Sequence, residues 1–383
     1  MVQLRNLIAV SAALAVTAVE GKTNTAGILA GLFPLTNTWG GLRVYDPIFQ
    51  TTLTPDWPLP NPVFGEQTEE DWGTIHVHDP SVIKHNGSYY VFSTHDLVGY
   101  GKAPSMYGPW VKQGSVLVNA SVIDVGITNT DPWAPDIHKV GDTFYLFYSI
   151  STFGSQSSAI GLATSKTLEV GSWTDHGLVI QSSGTASYPY NVSNAIDPNL
   201  LVETDSRGKV TSAYLQWGSF WQDIYQIPLT TDLKVPPDAA KKAVHLAYDP
   251  VAPSPIEGAY LHKASNGYYY LFVSHGVCCG YSASLPLPGK EYKIVYGRST
   301  SPNGPFLDKE GNKLTEGGGS AIYGSHQYVF GPGGQGVFYD DDAKKDILYY
   351  HYVDTRLNLT DSSKLLGWNY LEYTKDGWPY LTN

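Results

Sequence analysis

The pattern that decides the fold first occurs as HDPSVIKHNGSYYVFSTHD at residues 78–96. An acidic residue stands beside a proline and is followed by a short apolar run, an Asn-Gly turn, and a strand rich in tyrosine, phenylalanine and valine. Asn-Gly between two such stretches is a strong sequence signal for a tight β-hairpin. The segment therefore predicts two antiparallel strands, with Asp79 at the start of the first.

The same pattern recurs along the rest of the chain. Further copies start with APDIHKV at 134–140, AIDPNLL at 195–201, IEGAYLH at 256–262 and, in a more divergent form, GQGVFYD at 334–340. Five repeats of a unit of several short strands predict an all-β protein that folds as a five-bladed β-propeller. The alternative, a pair of β-sandwiches, has no reason to repeat at about 60 residues.

Acidic residues lead the first four copies at intervals of 57, 61 and 60 residues: Asp79, Asp136, Asp197 and Glu257. In a propeller the innermost strands run along the central channel, so residues at equivalent positions meet near the axis. Carboxylates that meet there raise one another's pKa values, which is costly unless a function uses them. Acetal hydrolysis needs one protonated carboxyl group and one ionised carboxylate. The repeat therefore points to glycoside hydrolysis.

The composition agrees with an all-β protein that binds sugars. Of 383 residues, 28 are tyrosine, 39 glycine and 25 proline, and only 15% are charged, unlike coiled coils. A net charge of −11 argues against nucleic acid or an anionic membrane as the main partner and leaves a neutral sugar open. Aromatic residues near the inner strands could stack on sugar faces, namely Trp133, Phe153, Phe220 and Trp221. Trp217 lies inside an alternating strand and is expected in the core.

The first 21 residues have the pattern of a secretory signal peptide, with Arg5 before an apolar stretch that is short for a membrane span. Residues 22–70 lie outside the repeat and are expected to form an irregular arm, which leaves 71–383 as the catalytic domain. Four glycosylation sequons agree with export, at Asn86, Asn119, Asn191 and Asn358. We therefore expect a secreted, extracellular glycoprotein.

The two cysteines, Cys278 and Cys279, are adjacent in the sequence. An adjacent pair cannot close a long loop, so packing must hold the fold together. The pair forms either a vicinal disulfide or two thiols, and the sequence leaves both alternatives open. The spacing of Cys and His residues matches no metal-binding pattern.

Beyond the repeat, the sequence resembles glycoside hydrolase family 43, and within it the fungal endo-1,5-α-L-arabinanases. The short motifs HDPSV (78–82), WAPDI (133–137) and EGAYL (257–261) are shared across the family. The stretches STFGSQSSAIGLATS (151–165) and GSFWQDIYQIPL (218–229) are more specific to arabinanases. The resemblance implies a propeller that hydrolyses arabinan, a pectin side chain, with inversion of configuration.

The resemblance also implies a role for each acid. Asp79 matches the general base that activates water, Glu257 the general acid, and Asp197 the third carboxylate, which orients the acid and raises its pKa. Asp136 has no catalytic counterpart, so a structural role is expected for it. Substrate-binding positions implied in the same way are His78, Trp133, Phe153, Asn194 and Ser219. For Ser219, the alternative is a turn residue at the edge of a strand.

His326 belongs to the stretch SHQYVFGPGGQG, residues 325–336. The stretch matches a histidine that, in similar arabinanases, binds an ion on the propeller axis, often assigned as calcium. A single protein ligand does not define the identity of a metal. The resemblance implies that the chemistry itself requires no cofactor.

Two other functions remain open beside an endo-acting arabinanase. One is an exo-acting α-L-arabinofuranosidase or β-xylosidase of the same family, which a long segment before Asp79 would favour if it blocked one end of the groove. The other is a non-catalytic carbohydrate-binding propeller, which the three carboxylates argue against. We expect a monomer, because the sequence suggests no apolar face for association.

Overall fold

The computed structural model describes residues 56–65 and 76–383, and within these ranges the protein is all-β. The helical structure within these ranges consists of short 3-10 helices at Ala239–Lys242, Leu314–Glu316 and Asp361–Ser363. Across the same ranges, no helix has the length and apolar character needed to cross a bilayer. The predicted signal peptide at 1–21, and most of the predicted arm at 22–70, lie outside the described residues.

Twenty strands form five antiparallel sheets of four strands each, and each sheet takes its strands in chain order. The first sheet contains β1 (Ser81–His85), β2 (Ser88–Ser93), β3 (Gly99–Ala103) and β4 (Val111–Ser115). The second contains β5 (Trp133–Val140), β6 (Thr143–Ile150), β7 (Ser158–Ser165) and β8 (Thr174–Ser182). The third contains β9 (Asn199–Thr204), β10 (Val210–Trp217), β11 (Ile224–Leu229) and β12 (Val244–Ala247). The fourth contains β13 (Ile256–Lys263), β14 (Tyr269–His275), β15 (Lys293–Ser299) and β16 (Ser320–Tyr323). The fifth contains β17 (Val329–Asp340), β18 (Lys345–Asp354), β19 (Leu365–Tyr373) and β20 (Pro379–Thr382).

Each sheet is one blade of a five-bladed propeller. The first strand of every sheet contacts the first strands of both neighbouring sheets, so these five strands form the innermost ring. The predicted Asn-Gly turn joins β1 to β2, with φ of 49° at Asn86 and 71° at Gly87. Positive φ at both residues is what a tight hairpin turn requires. The predicted propeller is confirmed, and the β-sandwich alternative is wrong.

The hydrophobic core consists mainly of five clusters, one between each pair of neighbouring blades. Between the first and second blades, Phe92, Phe144 and Tyr148 are fully buried. Trp217 is fully buried between the second and third blades, as expected from its place in an alternating strand. Burying one large apolar side chain contributes about 1.5–3 kcal/mol. Packing between blades therefore holds the ring together without a long-range disulfide.

A repeated hydrogen bond identifies the equivalent position of each blade. In every blade, a residue with positive φ that lies just before or within the inner strand makes this bond: Asp79, Ala134, Asp197, Gly258 and Gly334. The backbone N–H of each donates to a side chain of the preceding blade. The acceptors, in the same order, are His351 Nδ1, Thr94 Oγ1, Ser149 Oγ, Asp197 Oδ2 and Ser274 Oγ, at 2.8–3.0 Å.

This ring of hydrogen bonds corrects the alignment of the four acids. Asp79 and Asp197 occupy the equivalent position, whereas Ala134 occupies it in the second blade. Asp136 lies two residues farther along, and Glu257 lies one residue before Gly258 in the fourth blade. The prediction that all four acids stand at equivalent positions is therefore wrong. A repeat length close to 60 residues concealed these offsets, because blades differ in length by a few residues.

Asp136 has contacts that agree with the structural role expected for it. Its side chain is buried, and Oδ2 accepts a hydrogen bond from the Leu200 N–H of the third blade at 2.7 Å. Ser81 and Asn199, at the same position of their own blades, accept the backbone N–H of the following blade in the same way. This position therefore ties each of these three blades to the next one.

The ring closes between the fifth and first blades through hydrogen bonds rather than a shared sheet. The Val77 N–H donates to the Lys364 carbonyl oxygen at 3.0 Å, and the Asn61 N–H donates to the Trp368 carbonyl oxygen at 3.0 Å. Residues 56–65, the described part of the predicted arm, therefore run along these blades. None of these ten residues lines the groove at the centre of the propeller.

Candidate active site

A groove of about 680 Å³ lies beside the propeller axis and contains the three predicted catalytic carboxyl groups, Asp79, Asp197 and Glu257. A smaller cavity of about 40 Å³ shares Asp79 and Asp197 with the groove and takes residues from all five blades, which marks it as the axial channel. The groove is also lined by every predicted substrate-binding residue: His78, Trp133, Phe153, Asn194 and Ser219. The structure thus brings together all the predicted site residues except His326.

Asp79 is held by the first blade and by the blade that closes the ring. Its Oδ2 accepts hydrogen bonds from His78 Nδ1 at 2.7 Å and from Thr94 Oγ1 at 3.0 Å. Its Oδ1 lies 3.4 Å from Nδ1 of the buried His351. Burial alone would raise the pKa of Asp79, but His78, His351 and Lys364 outweigh burial and hold the pKa well below its ordinary value. Asp79 is therefore an ionised carboxylate.

Glu257 lies in β13 just before a register irregularity that interrupts pairing between Glu257 and Tyr260. Its Oε2 accepts a hydrogen bond from Ser219 Oγ at 2.6 Å, and its Oε1 accepts one from the Tyr292 hydroxyl at 2.9 Å. Burial raises the pKa of Glu257, and the charge of Asp79 adds to this increase, whereas the two hydrogen bonds oppose it. Glu257 is therefore suited to carry a proton that it can release.

Asp197 connects the two other carboxyl groups. Its Oδ2 accepts the backbone N–H of Gly258, the residue after Glu257, at 3.0 Å. Burial raises the pKa of Asp197 well above its ordinary value, and the nearby charges of Glu257 and Asp79 raise it further. Of the three carboxyl groups, one is thus held ionised and two are biased toward the protonated form, as acid–base catalysis at a single pH requires.

Aromatic side chains provide apolar surface along the groove. Phe153 is 83% exposed and Trp221 is 38% exposed, so both offer apolar ring surface to a ligand in the groove. The Trp133 indole N–H donates to Asp131 Oδ2 at 3.2 Å, which fixes the orientation of its ring. Asn194 is buried, and its Oδ1 has no hydrogen-bond partner within the described residues. The aromatic rings can stack on the apolar faces of sugar rings, and Asn194 Oδ1 can accept a hydrogen bond from a sugar hydroxyl group.

The loop from Gly218 to Asp223 holds the acid in place. Gly218 has φ of 139°, and a Cβ there would lie 1.9 Å from the Asp223 carbonyl oxygen, so only glycine fits. The Phe220 N–H donates to the Ile256 carbonyl oxygen at 3.0 Å, directly beside Glu257. Ser219 is therefore both a turn residue at a strand edge and a hydrogen-bond donor to the acid.

Several residues in and beside the groove were missed by sequence reasoning. Tyr292 lines the groove, whereas His351 and Lys364 contact Asp79 and His78 beside it, and all three belong to the fourth and fifth blades, in stretches that carry no motif of their own. Cys278 and Cys279 are joined as a vicinal disulfide that lines the groove, which settles the alternative that the sequence left open. Closure of the ring brings His351 and Lys364 near Asp79 and His78, and folding of the fourth blade brings Tyr292 to Glu257, so their positions in the sequence gave no signal.

His326 lies away from this cluster. Its ring packs against Trp57 and Tyr323, with centroids 5.8 Å and 5.0 Å away, and its Nδ1 contacts the Gly324 carbonyl oxygen at 2.8 Å. No group of His, Cys, Asp and Glu side chains spaced for a metal includes His326 in the described ranges. Its Nε2 is buried and has no hydrogen-bond partner within the described residues, so the ion implied by the resemblance stays a prediction.

The family model for glycosyl hydrolases family 43 matches residues 127–379. The arabinan endo-1,5-alpha-L-arabinosidase A of Aspergillus aculeatus is 48% identical over 312 residues, which cover 81% of this chain and 92% of that relative.

Two solved structures are similar over most of the chain. An exo-1,5-alpha-L-arabinanase from a bovine ruminal metagenomic library has a TM-score of 0.69 and 33% identity, and the match covers 81% of this chain and 98% of that chain. The Cellvibrio cellulosa alpha-L-arabinanase complexed with arabinohexaose has a TM-score of 0.68 and 28% identity, over 81% of this chain and 96% of that chain.

Proposed function

Because the chain belongs to glycosyl hydrolases family 43, and is thus a glycoside hydrolase, we propose that it cleaves internal α-1,5-L-arabinofuranosidic linkages of arabinan. The observation that carries this proposal is the groove in which Asp79 is held ionised while Glu257 and Asp197 have raised pKa values. The 48% identical Aspergillus aculeatus relative, an arabinan endo-1,5-alpha-L-arabinosidase, supports the choice of substrate.

The reaction is a single displacement with inversion of configuration. Asp79 removes a proton from a water molecule that attacks the anomeric carbon, while Glu257 donates its proton to the departing glycosidic oxygen. Hydrogen bonds from Ser219 and Tyr292 then stabilise the carboxylate that remains on Glu257. Asp197 holds the Gly258 backbone and thereby the orientation of Glu257. This chemistry requires no cofactor.

Two observations support attack at internal linkages. Exposed aromatic side chains, Phe153 and Trp221, line the groove and offer stacking surface to further sugar units. Residues 56–65, the described part of the predicted arm, line none of the groove. These ten residues therefore do not obstruct a long arabinan chain that lies in the groove.

The exo-acting alternative has one observation in its favour. A structural neighbour at 33% identity is an exo-1,5-alpha-L-arabinanase, so a propeller of this fold is compatible with exo attack as well as with endo attack. A propeller that only binds carbohydrate has no need for the opposite pKa shifts of Asp79 and Glu257, so these shifts argue against that alternative. The size of the first products separates all three alternatives.

We further propose that the enzyme is secreted and acts outside the cell as a monomer. The signal-peptide pattern at 1–21 supports export, and three of the four sequons, Asn86, Asn119 and Asn358, lie on the exposed surface. The sequence suggests no apolar face for association, and size-exclusion chromatography with light scattering tests the monomer.

The test follows viscosity, reducing ends and product size together on debranched linear arabinan. Endo action lowers the viscosity when only a small fraction of bonds is cut and releases a ladder of oligosaccharides first. Arabinose alone from the first time point would assign exo action instead. Binding to arabinan with no release of reducing ends would contradict hydrolysis.

A further inference from the structure

Lys364 is a buried lysine beside the groove that the proposed mechanism does not use. It directly precedes β19, and its side chain has no solvent exposure. Its Nζ lies 2.8 Å from His78 Nε2, 3.1 Å from the Cys278 carbonyl oxygen and 3.6 Å from an Asp361 carboxylate oxygen. Burying an ammonium group so completely is costly unless its partners compensate, so this arrangement calls for a function.

The hydrogen atoms between Lys364 and Asp79 have one consistent arrangement. Asp79 as a carboxylate can only accept, so the 2.7 Å contact with His78 Nδ1 places a proton on Nδ1. A second proton on Nε2 would put an imidazolium 2.8 Å from the lysine, which is unfavourable. Nε2 therefore accepts, and Lys364 Nζ donates to it.

We propose that Lys364 is a positioning residue for the general base, because it fixes His78 in the Nδ1–H tautomer and thereby orients Asp79. This inference rests on the proposed function, which assigns the role of base to Asp79. His78 and Thr94 occupy Oδ2 of Asp79, which leaves Oδ1 as the oxygen that receives the proton from water. A partner that fixes a histidine tautomer orients the group on the other side of the ring.

The backbone of Lys364 makes this arrangement rigid. Its carbonyl oxygen accepts the Val77 N–H at 3.0 Å, one residue before His78, so the side chain and the backbone hold the same segment. The vicinal disulfide covers the amine from another side, with Cys279 Sγ 3.6 Å from Nζ. The joint between the fifth and first blades therefore places Lys364 and Asp79 on opposite sides of His78.

The charge of Lys364 acts in the same direction as its hydrogen bond. Titratable groups that interact with Asp79 are His78, His351, Lys364, Asp197, Glu257 and Tyr292. Burial lowers the pKa of Lys364, and the charges of Asp79, Asp361 and Glu257 oppose this decrease. Loss of the lysine therefore raises the pKa of Asp79, and the base becomes protonated at a higher pH.

Two variants separate the hydrogen bond from the charge. Lys364→Met removes both, whereas Lys364→Gln keeps an N–H donor and removes only the charge. The control is Lys166→Met, whose lysine is largely exposed and pairs with the exposed Asp142. Thermal unfolding establishes that each variant is folded before its kinetics are compared.

The first readout is the pH dependence of kcat/KM on linear arabinan. We expect the acidic limb to move up by about one pH unit or more in Lys364→Met. We expect kcat to fall by about tenfold or more, with a smaller change in KM. Lys364→Gln should shift the limb while retaining more kcat than Lys364→Met, and Lys166→Met should match the wild type. A folded Lys364→Met with the wild-type acidic limb would overturn the proposal.

The second readout needs no activity. Nuclear magnetic resonance of protein labelled with 15N-histidine distinguishes the two tautomers, and the His78 signal is identified by its loss in His78→Gln. We expect Nδ1–H in the wild type and a mixture in Lys364→Met. Nε2–H in the wild type would overturn the proposal even if Lys364→Met fails to fold. Inactivity of the wild type on arabinan would refute the proposed function, whereas the tautomer would still be decided.

Discussion

At the scale of single residues, the groove contains carboxyl groups whose pKa values are shifted in opposite directions. Histidine and lysine neighbours hold the pKa of Asp79 low, and burial raises the pKa of Glu257. Each shift comes from identifiable contacts within the ring of blades. A base that is ionised and an acid that is protonated can therefore coexist over a wide range of pH.

The pH profile of the wild type follows from these directions. Asp79 must be ionised, and its lowered pKa places the acidic limb well below the usual value for aspartate of about 3.9. Glu257 must be protonated, and its raised pKa places the basic limb above the usual value for glutamate of about 4.3. The measurement is kcat/KM against pH on linear arabinan. A basic limb at the usual glutamate value would contradict this assignment.

Tyr292 supplies a second test at this scale. Tyr292→Phe removes the hydrogen bond to Oε1 of Glu257, which raises the pKa of the acid further and destabilises the carboxylate formed in the reaction. We expect the basic limb to move to higher pH and kcat to fall by about tenfold or more, because hydrogen bonds to charged groups contribute about 1.5–3 kcal/mol. Tyr339→Phe, at an exposed position, is the control. Unchanged kcat and an unchanged basic limb would exclude this role.

At the scale of elements, the loop from Gly218 to Asp223 and the irregular start of β13 set the position of the acid. Asp223 anchors the end of the loop, since its buried carboxylate accepts the Asp249 N–H at 2.7 Å. Burial raises the pKa of Asp223 to about 8, despite that hydrogen bond. The loop therefore contains a carboxyl group that is neutral in the folded protein at mildly acidic pH.

Asp223 makes the stability of the protein depend on pH. A carboxyl group whose pKa is higher in the folded chain binds more protons when folded, so its contribution to stability falls as pH rises from about 4 to about 8. Asp223→Asn keeps the shape of the side chain and removes its charge. In this variant, the loss of unfolding free energy between about pH 4 and about pH 8 should be smaller by about 1 kcal/mol or more. Denaturant unfolding at several pH values measures the effect. Exposed Asp376→Asn should keep the wild-type slope, and an equal slope for Asp223→Asn would refute the argument.

At the scale of the whole molecule, the propeller could be predicted because its signals are local. Each hairpin carries its own turn residues and aromatic strand, and the ring follows from their repetition. The groove was predicted in part, since Asp79, Asp197 and Glu257 lie in motifs near the inner strands. The offset of Asp136 could not be predicted, because hydrogen bonds between blades, and not repeat length, define equivalence. Lys364 was missed because only closure of the ring brings it to His78, and Tyr292 because it meets Glu257 only when the fourth blade folds.

The folded ring also predicts which sequons carry glycans in a secreted protein. Asn86, Asn119 and Asn358 are exposed, whereas Asn191 is half-buried and its Oδ1 is shielded from solvent. We expect glycans at the three exposed sites and none at Asn191 after export from a fungal host, because the bulky glycan needs open surface. Mass spectrometry of glycopeptides checks this expectation. Occupancy at Asn191, or unglycosylated secreted protein, would contradict it.

The proposed function requires Asp79 and Glu257 to hydrolyse arabinan as base and acid in one displacement. The most direct measurement follows the first-formed anomer on linear arabinan by nuclear magnetic resonance, for the wild type, Asp79→Asn and Glu257→Gln. We expect β-configured arabinose ends from the wild type and a loss of kcat of about 10²–10⁴-fold in each variant. α-Configured ends, or a folded variant with wild-type turnover, would contradict it.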